Sequence, residues 1–408
     1  MKRDFTNTFI LNSLELPVID SLDTLSNQVG ISKRMLYLLS QQTNKYYKQF
    51  QIPKKNNTFR EISSPSYSLK LVQRWILEEV FYKINVTDEA LAFKKGVNGI
   101  KQNATYHLYS LYILGIDIKD FFPSISREKV FYLFKNLGYN NFISNVLSNL
   151  CTLDNSLPQG AVTSPYISNI ICYNLDRRIK GLCEKRDIVY SRYADDLTFS
   201  CDNKDTLKKM YKVLEGIIVD EGFEVNRSKT RFLSPISHKK LTGITIDHQK
   251  TKADKELKKK VRAMIHKSIV TGDYSNNNII LGYVSFINSI ENGYKKKVIN
   301  YINILIMKDY KHYPDLVDAY NKNKLFQELN NMVQIDFHTS FAFDIKTYYR
   351  QYFKHGFDLD EMEYYEYLNM LESRRVYLEK YHLKDTELEK ELGTLQSAAD
   401  IEEDTDLF

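Results

Sequence analysis

Two adjacent carboxylates, Asp195 and Asp196, stand in a run that otherwise reads as strand. Ile188-Val189-Tyr190 comes before, Tyr193-Ala194 leads in and Leu197-Thr198-Phe199 follows. Strand propensity and burial both disfavour aspartate there, and an unpaired, desolvated carboxylate pair costs several kcal/mol. The placement demands a bound metal or a compensating basic partner. Asp117 makes the same demand at the end of a second short apolar run, Tyr112-Ile113-Leu114-Gly115-Ile116, ahead of Ile118-Lys119-Asp120-Phe121-Phe122. Two strand-borne acidic sites of this kind can converge on divalent ions about 3.5 to 4 Å apart, an arrangement that serves phosphoryl and nucleotidyl transfer.

A chain of 408 residues that is 43% hydrophobic can bury a full core and divide into several subdomains. The net charge of +6 is unevenly spread: the first 384 residues carry 56 basic against 42 acidic side chains, and the acidic excess is confined to 385–408. A basic body suits a polyanion such as RNA or DNA, or is simply a solvated lysine-rich surface. Cys151, Cys172, Cys183 and Cys201 have neither C-x-x-C spacing nor a nearby histidine and read as small core residues in a reducing cytoplasm. No apolar stretch approaches the eighteen or so residues of a membrane span, and Phe9-Ile10-Leu11 is too brief for a signal sequence, so a cytoplasmic protein with no membrane partner is expected.

Residues 21–50 have helical spacing broken at Gly30-Ile31-Ser32, and 52–62 reads as a hairpin around Asn56-Asn57. A helix over 69–84 carries Trp75, the one tryptophan. Further helices are expected at 127–137, 165–183 and 204–221, with strands at 112–117, 188–193, 196–201 and 231–246. Lys250, Lys252, Lys255, Lys258, Lys259, Lys260 and Arg262 fall on a predicted helix, either a solvated face or a phosphate-tracking surface. Beyond 310 come amphipathic helices and an acidic end expected to fray.

In this order the motifs resemble those of reverse transcriptases, and most closely the bacterial retron class. They are Phe59-Arg60 with Pro65 and Gln73, Asp117 through Ile125, Leu157-Pro158-Gln159-Gly160 with Ser164-Pro165, the Tyr-Ala-Asp-Asp box, and Gly222-Phe223 with Asn226 and Lys229-Thr230. Two narrower elements point to retrons: Asn103-Ala104-Thr105-Tyr106-His107 matches Asn-Ala-x-x-His, and Leu241-Thr242-Gly243 resembles Val-Thr-Gly with leucine for valine. Gly282 through Ile290 with Gly293-Tyr294 is similar to the retron thumb.

The resemblance implies an α+β right-hand polymerase, with an N-terminal helical element (1–50), fingers (51–110), a palm with a ferredoxin-like antiparallel sheet and an inserted finger segment (111–247), a helical thumb (248–310) and a helical extension (311–408). It also implies two Mg²⁺ ions on Asp117 and Asp195, the Ile118 carbonyl as a further ligand, and Asp196 as an outer ligand or an orienting group. Lys229 is the candidate general acid for pyrophosphate, or a surface lysine. Arg60, with Lys54 or Lys55, would clamp the incoming triphosphate; Phe122 would exclude a 2′-hydroxyl, or only pack; Gln159-Gly160 would approach the nascent base pair. Asn103, His107, Leu241, Thr242, Gly243, Lys255, Lys258, Lys259 and Arg262 are the candidate RNA contacts.

The implied partners are dNTPs, a cognate structured noncoding RNA of the msr-msd type and its DNA product. That product is primed from a guanosine 2′-hydroxyl to give a branched RNA-DNA, in anti-phage defence beside an effector protein. The extension would dock the effector or a second copy of the complex, or brace the thumb. Three other readings stay open: a defence polymerase that is protein-primed or untemplated, an intron-type enzyme, for which no maturase or endonuclease element is recognisable, and an idle palm serving as an RNA-binding scaffold.

Overall fold

The computed structural model describes residues 5–53, 59–247, 249–271, 273 and 275–309. The N-terminal part forms α1 (Thr8–Ser13), α2 (Leu22–Val29), α3 (Lys33–Gln41), β1 (Tyr47–Pro53), β2 (Phe59–Pro65) and α4 (Tyr67–Glu79). Next come α5 (Gly99–Tyr106), β3 (Tyr112–Asp117), α6 (Arg127–Asn136), α7 (Asn141–Cys151), α8 (Ser164–Ile171) and α9 (Tyr173–Glu184). Then follow β4 (Val189–Tyr193), β5 (Asp196–Cys201), α10 (Lys204–Asp220), β6 (Arg231–Leu233), β7 (Lys239–Leu241), β8 (Ile244–Asp247) and β9 (Lys250–Lys252). The last described helices are α11 (Lys255–Thr271), α12 (Asn277–Ile290) and α13 (Tyr294–Asp309). The helix starts are written locally: Ser21, Ser32, Ser126, Asn140 and Asn203 each accept from a first-turn N–H, and Pro165 opens α8.

Contacts divide the chain into two units. The first takes its described residues from Met1–Val86 and Asp120–Tyr173, the second from Thr87–Lys119 and Asn174–Ala342. In the first, β1 and β2 form an antiparallel hairpin and α3 and α4 pack on α7 around Leu36, Leu39, Leu69, Val72, Leu147 and Leu150. Gln73, fully buried in α4, donates to the Tyr47 hydroxyl and the Leu150 carbonyl and accepts from Val162 N–H, which fixes the chain leading out of Gln159-Gly160.

The second unit is built on a four-stranded antiparallel sheet of order β4-β5-β3-β6. A separate three-stranded sheet, β7-β8-β9, shares an apolar core with α11, α12 and α13 through Leu241, Ile244, Val261, Ile265, Val284 and Ile287. This unit begins at Thr87, with α5 packed against β4 and β8. Lys250 and Lys252 belong to β9, paired with β8, and not to the basic helix, which starts at Lys255. Cys172 caps α8 through its N–H to Ser168 O and divides the helix expected over 165–183 in two. Lys54, Lys55, the Asn56-Asn57 turn and the extension 311–408 with its acidic end lie outside the described residues. Among the described residues no helix is long and apolar enough to cross a membrane. All four cysteines are buried thiols, and burial pushes Cys151 and Cys183 up to about 12.

Behind the sheet, α9 is bolted to β4 by a charge pair with no solvent exposure. Arg192 Nε and Nη2 donate to the two oxygens of Asp176 at 2.8 and 2.7 Å. Tyr190 and Thr87 hydroxyls donate to the same carboxylate, each at 2.7 Å, and Arg192 Nη1 reaches the Ala194 carbonyl at 3.2 Å. Such a pair adds little net stability over an apolar substitute but is expensive to break, since one partner's removal strands a buried charge. Asp176→Ala is therefore expected to lose about 3–5 kcal/mol of folding stability in a urea titration, whereas removing an exposed partner such as Asp23, which pairs with Lys33, should lose less than about 1 kcal/mol.

Candidate active site

Strand register assembles the acidic face. In the β3–β5 ladder Asp117 and Asp196 are direct Cα partners, so their side chains leave the same side of the sheet. Asp195 follows in the β4–β5 turn after Ala194, whose φ of 57 is a left-handed conformation strained for a residue with a Cβ. Backbone hydrogen bonds at 2.8 Å tie the parts together: Ile118 N–H donates to the Asp195 carbonyl and Asn226 N–H to the Asp117 carbonyl. Ile118 itself forms an isolated bridge with Val225.

Two cations from one short segment meet the two strand carboxylates. Lys229 Nζ donates to both Asp117 oxygens at 2.9 and 3.1 Å, and Arg231 Nη2 donates to Asp196 Oδ2 at 3.1 Å. Burial raises the Asp196 carboxyl to about 6, helped by the negative charges of Asp195 and Asp117 and opposed by Arg231. The basic compensation demanded by the sequence is thus present, and Arg231 is a site residue that the sequence motifs do not include. Its signal is Gly115, a glycine inside a buried strand, which marks a close approach by another chain segment.

The residues expected to touch RNA divide sharply. Asn103 on α5, His107 just past its end and Leu241 on β7 are 0% exposed, so their side chains cannot meet RNA in this structure. Instead they pack or pair inside the second unit. His107 sits 2.8 Å from Ser191 Oγ and 2.6 Å from Ser200 Oγ, and Ser191 Oγ donates to Asn103 Oδ1 at 2.6 Å. Because Ser191 spends its one proton on Asn103, it must accept from the ring Nε2–H. Asn103 Nδ2 continues to Thr242 Oγ1 at 3.4 Å. Ser191 and Ser200 lie on the same side of the sheet as Asp117 and Asp196, so α5 covers one end of the face and leaves the acidic end uncovered. Thr242 and Gly243, both with positive φ, form the β7–β8 turn, with Gly243 exposed.

On α11, Lys255, Lys259 and Arg262 occupy exposed positions. Lys259 pairs with Glu256, and Arg262 lies over the Tyr301 ring at 5.7 Å. Lys258 is turned to an internal task, a 2.6 Å ion pair with Glu291 at the end of α12.

The residues expected to contact nucleotide all fall in the first unit. Arg60 is exposed on β2, opposite Ile52, and has no partner among the described residues. Phe122 stacks at a tilt on Phe121, centroids 5.4 Å apart. Ser63 N–H donates to the Gln159 carbonyl at 2.8 Å. Gly160 has φ 125, and a Cβ added there would lie only 2.6 Å from Ser63 O, so only glycine fits.

Residues 52–270 match the reverse transcriptase (RNA-dependent DNA polymerase) family. The chain belongs to that family and to its retron branch, with an α+β right-hand polymerase fold, and it is an RNA-directed DNA polymerase. It is 38% identical to the retron Ec86 reverse transcriptase of Escherichia coli over 75% of this chain and 95% of that one. The retron Mx65 reverse transcriptase of Myxococcus xanthus is 31% identical over 67% of this chain and 70% of its own length. Enzymes of this family work with divalent metal ions. Among the described residues no three acidic, histidine or cysteine side chains stand in ready-made coordination geometry. The donor set nevertheless fits a hard cation: its oxygens are carboxylates, and one of them already draws an ammonium onto itself.

His107 supplies a pH test of the buried network. Burial lowers its pKa from 6.5 to about 3, so the fold holds a neutral ring. Below pH 6.5 the unfolded chain takes up a proton that the folded chain refuses. The contribution of the neutral ring is therefore complete above pH 6.5 and drains away as pH falls toward 3, by up to about 1.4 kcal/mol per pH unit. Urea titrations at pH 7, 6 and 5 should show His107→Gln losing less stability with acid than the unaltered protein; parallel losses would contradict the neutral buried ring.

Proposed function

We propose that this polymerase copies part of a cognate structured noncoding RNA into single-stranded DNA, priming from a 2′-hydroxyl of that RNA to leave a branched RNA-DNA, and that it serves a retron defence against phage. The observation that carries the catalytic part is the register that sets Asp117 beside Asp196, with Asp195 in the adjoining turn. The retron part rests on the similarity to retron enzymes across three quarters of the chain.

Asp117 and Asp195, with the Ile118 carbonyl, are the ligands we assign to two Mg²⁺ ions. When bound, these ions lower the pKa of the primer hydroxyl and neutralise the triphosphate and the departing pyrophosphate. Asp196, held by Arg231, orients the acidic face. Lys229, half out in solvent on a flexible stem and already at Asp117, is the proton donor we assign to pyrophosphate. Arg60 would pair with triphosphate oxygens through its guanidinium fork, Phe122 would exclude a ribose 2′-hydroxyl, and Gln159-Gly160 would present backbone to the new base pair. For RNA the exposed candidates are Gly243, Lys255, Lys259 and Arg262, with half-buried Thr242 beside Gly243, which suit recognition by shape and phosphate contact. An effector protein and a larger assembly complete the proposed system in the bacterial cytoplasm.

The test is DNA synthesis by the purified full-length protein with Mg²⁺, dNTPs and the RNA transcribed beside its gene. The expected product is DNA templated by that RNA and joined to it through a 2′,5′ linkage, and Asp195→Ala should lower its rate on the order of a thousandfold. DNA that forms without that RNA, or on a protein primer, would favour the non-retron defence polymerase. No product, or full activity from Asp195→Ala, would falsify the catalytic reading.

A further inference from the structure

A glycine within a buried strand leaves space for something else to cross, and at Gly115 it is Arg231. The two are Cα partners in the β3–β6 ladder. A Cβ on Gly115 would meet Arg231 Nε at 2.8 Å and Cγ at 3.1 Å, too close for either side to accept without moving. The arginine stem therefore lies against the bare backbone of β3 and spans it, from β6 to Asp196 on β5. Its Nε is buried with no acceptor among the described residues. A buried, unmet donor is destabilising, so a surface arginine free to choose would not rest there. The two cations of this segment thus differ: Lys229 is 61% exposed on a flexible stem, while Arg231, 41% exposed at its outer end, has its stem and Nε laid against the bare strand.

We propose that Arg231, seated over Gly115, is a positioning residue that keeps the Asp196 carboxylate in its ion pair, so that Asp117 and Asp195 alone face metal and nucleotide. The inference rests on the polymerase reading above. Like charges directly opposite in a ladder repel, and Asp117 and Asp196 are such a pair. With the guanidinium removed, the face loses one positive charge and Asp196 is free to rotate toward the other two carboxylates. Divalent cations should then bind more tightly but in the wrong arrangement.

The experiment titrates Mn²⁺ into the full-length protein by calorimetry, alongside steady-state kinetics, for Arg231→Met, Arg231→Lys, Gly115→Ala and the double variant Gly115→Ala with Arg231→Met. Arg231→Met should bind Mn²⁺ more tightly, on the order of tenfold, while kcat falls by a similar factor and KM for dNTP changes little. Unfolding cannot produce tighter binding, so this pairing separates positioning from loss of structure. Arg231→Lys keeps the charge but not the fork; it should hold Mn²⁺ affinity near that of the unaltered protein and recover part of kcat. Gly115→Ala should reproduce the Arg231→Met behaviour, and the double variant should be no worse than Arg231→Met, since both changes act through one side chain. Unaltered Mn²⁺ affinity and kcat in Arg231→Met overturn the proposal, as do independent, additive effects at the two positions. If Arg231→Met does not fold, Arg231→Lys decides: kcat equal to that of the unaltered protein overturns it. If the unaltered protein makes no DNA, the polymerase reading fails, and the Mn²⁺ isotherms still decide whether Arg231 governs the acidic face.

Discussion

Repulsion between carboxylates held opposite one another in neighbouring strands is the constraint around which the second unit is arranged. The β3–β5 ladder leaves Asp117 and Asp196 no freedom to separate, and the tight turn after Tyr193 adds Asp195 to the same end of the sheet. Each strand carboxylate receives its own cation, Lys229 for Asp117 and Arg231 for Asp196, from residues two apart in sequence. The placement is costly for a fold and useful for a polymerase, because concentrated, fixed negative charge is what draws and orients divalent ions.

The rest of the unit keeps that face rigid. From behind, the fully buried Arg192–Asp176 pair clamps β4 to α9 and reaches the Ala194 carbonyl in the turn. From the front, α5 covers the far end of the face with Asn103 and His107, which bind Ser191 on β4 and lie against Ser200 on β5. The Asn-Ala-x-x-His element that marks the retron branch is therefore a brace for the β4–β5 hairpin. Through Thr242 it also touches the turn that carries the second retron element, so the two signatures form one connected polar network.

Much of this is legible in the sequence, and the pattern of misses is physical. Asp117, Asp195 and Asp196 announce themselves because an acid in an apolar strand has few innocent explanations. The strands at 112–117 and 196–201 emerge at their expected bounds from the apolar runs around those acids. α7 is hidden by its interspersed asparagines and by serines that are themselves buried, although Ile143, Val146, Leu147 and Leu150 keep helical spacing and bury one side. Lys250 and Lys252 merge with the helix in sequence because charge runs carry no period; Asp254 and Glu256, at the start of α11, mark where the helix begins. Asn103 and His107 look outward in a motif because motifs name residue types and say nothing of burial. Gly115 signals that something crosses the strand, but only register shows that the crossing residue is Arg231, far away in sequence.

The proposed metal site lies at the Asp117, Asp195 and Asp196 end of the four-stranded sheet. The most direct test is a crystal structure of the full-length protein with Mn²⁺ and an incoming nucleotide, with the metals located by anomalous scattering. Mn²⁺ is expected on Asp117 and Asp195, with Asp196 still paired to Arg231. Metal bound elsewhere, or held by Asp196 with Arg231 turned away, would contradict it.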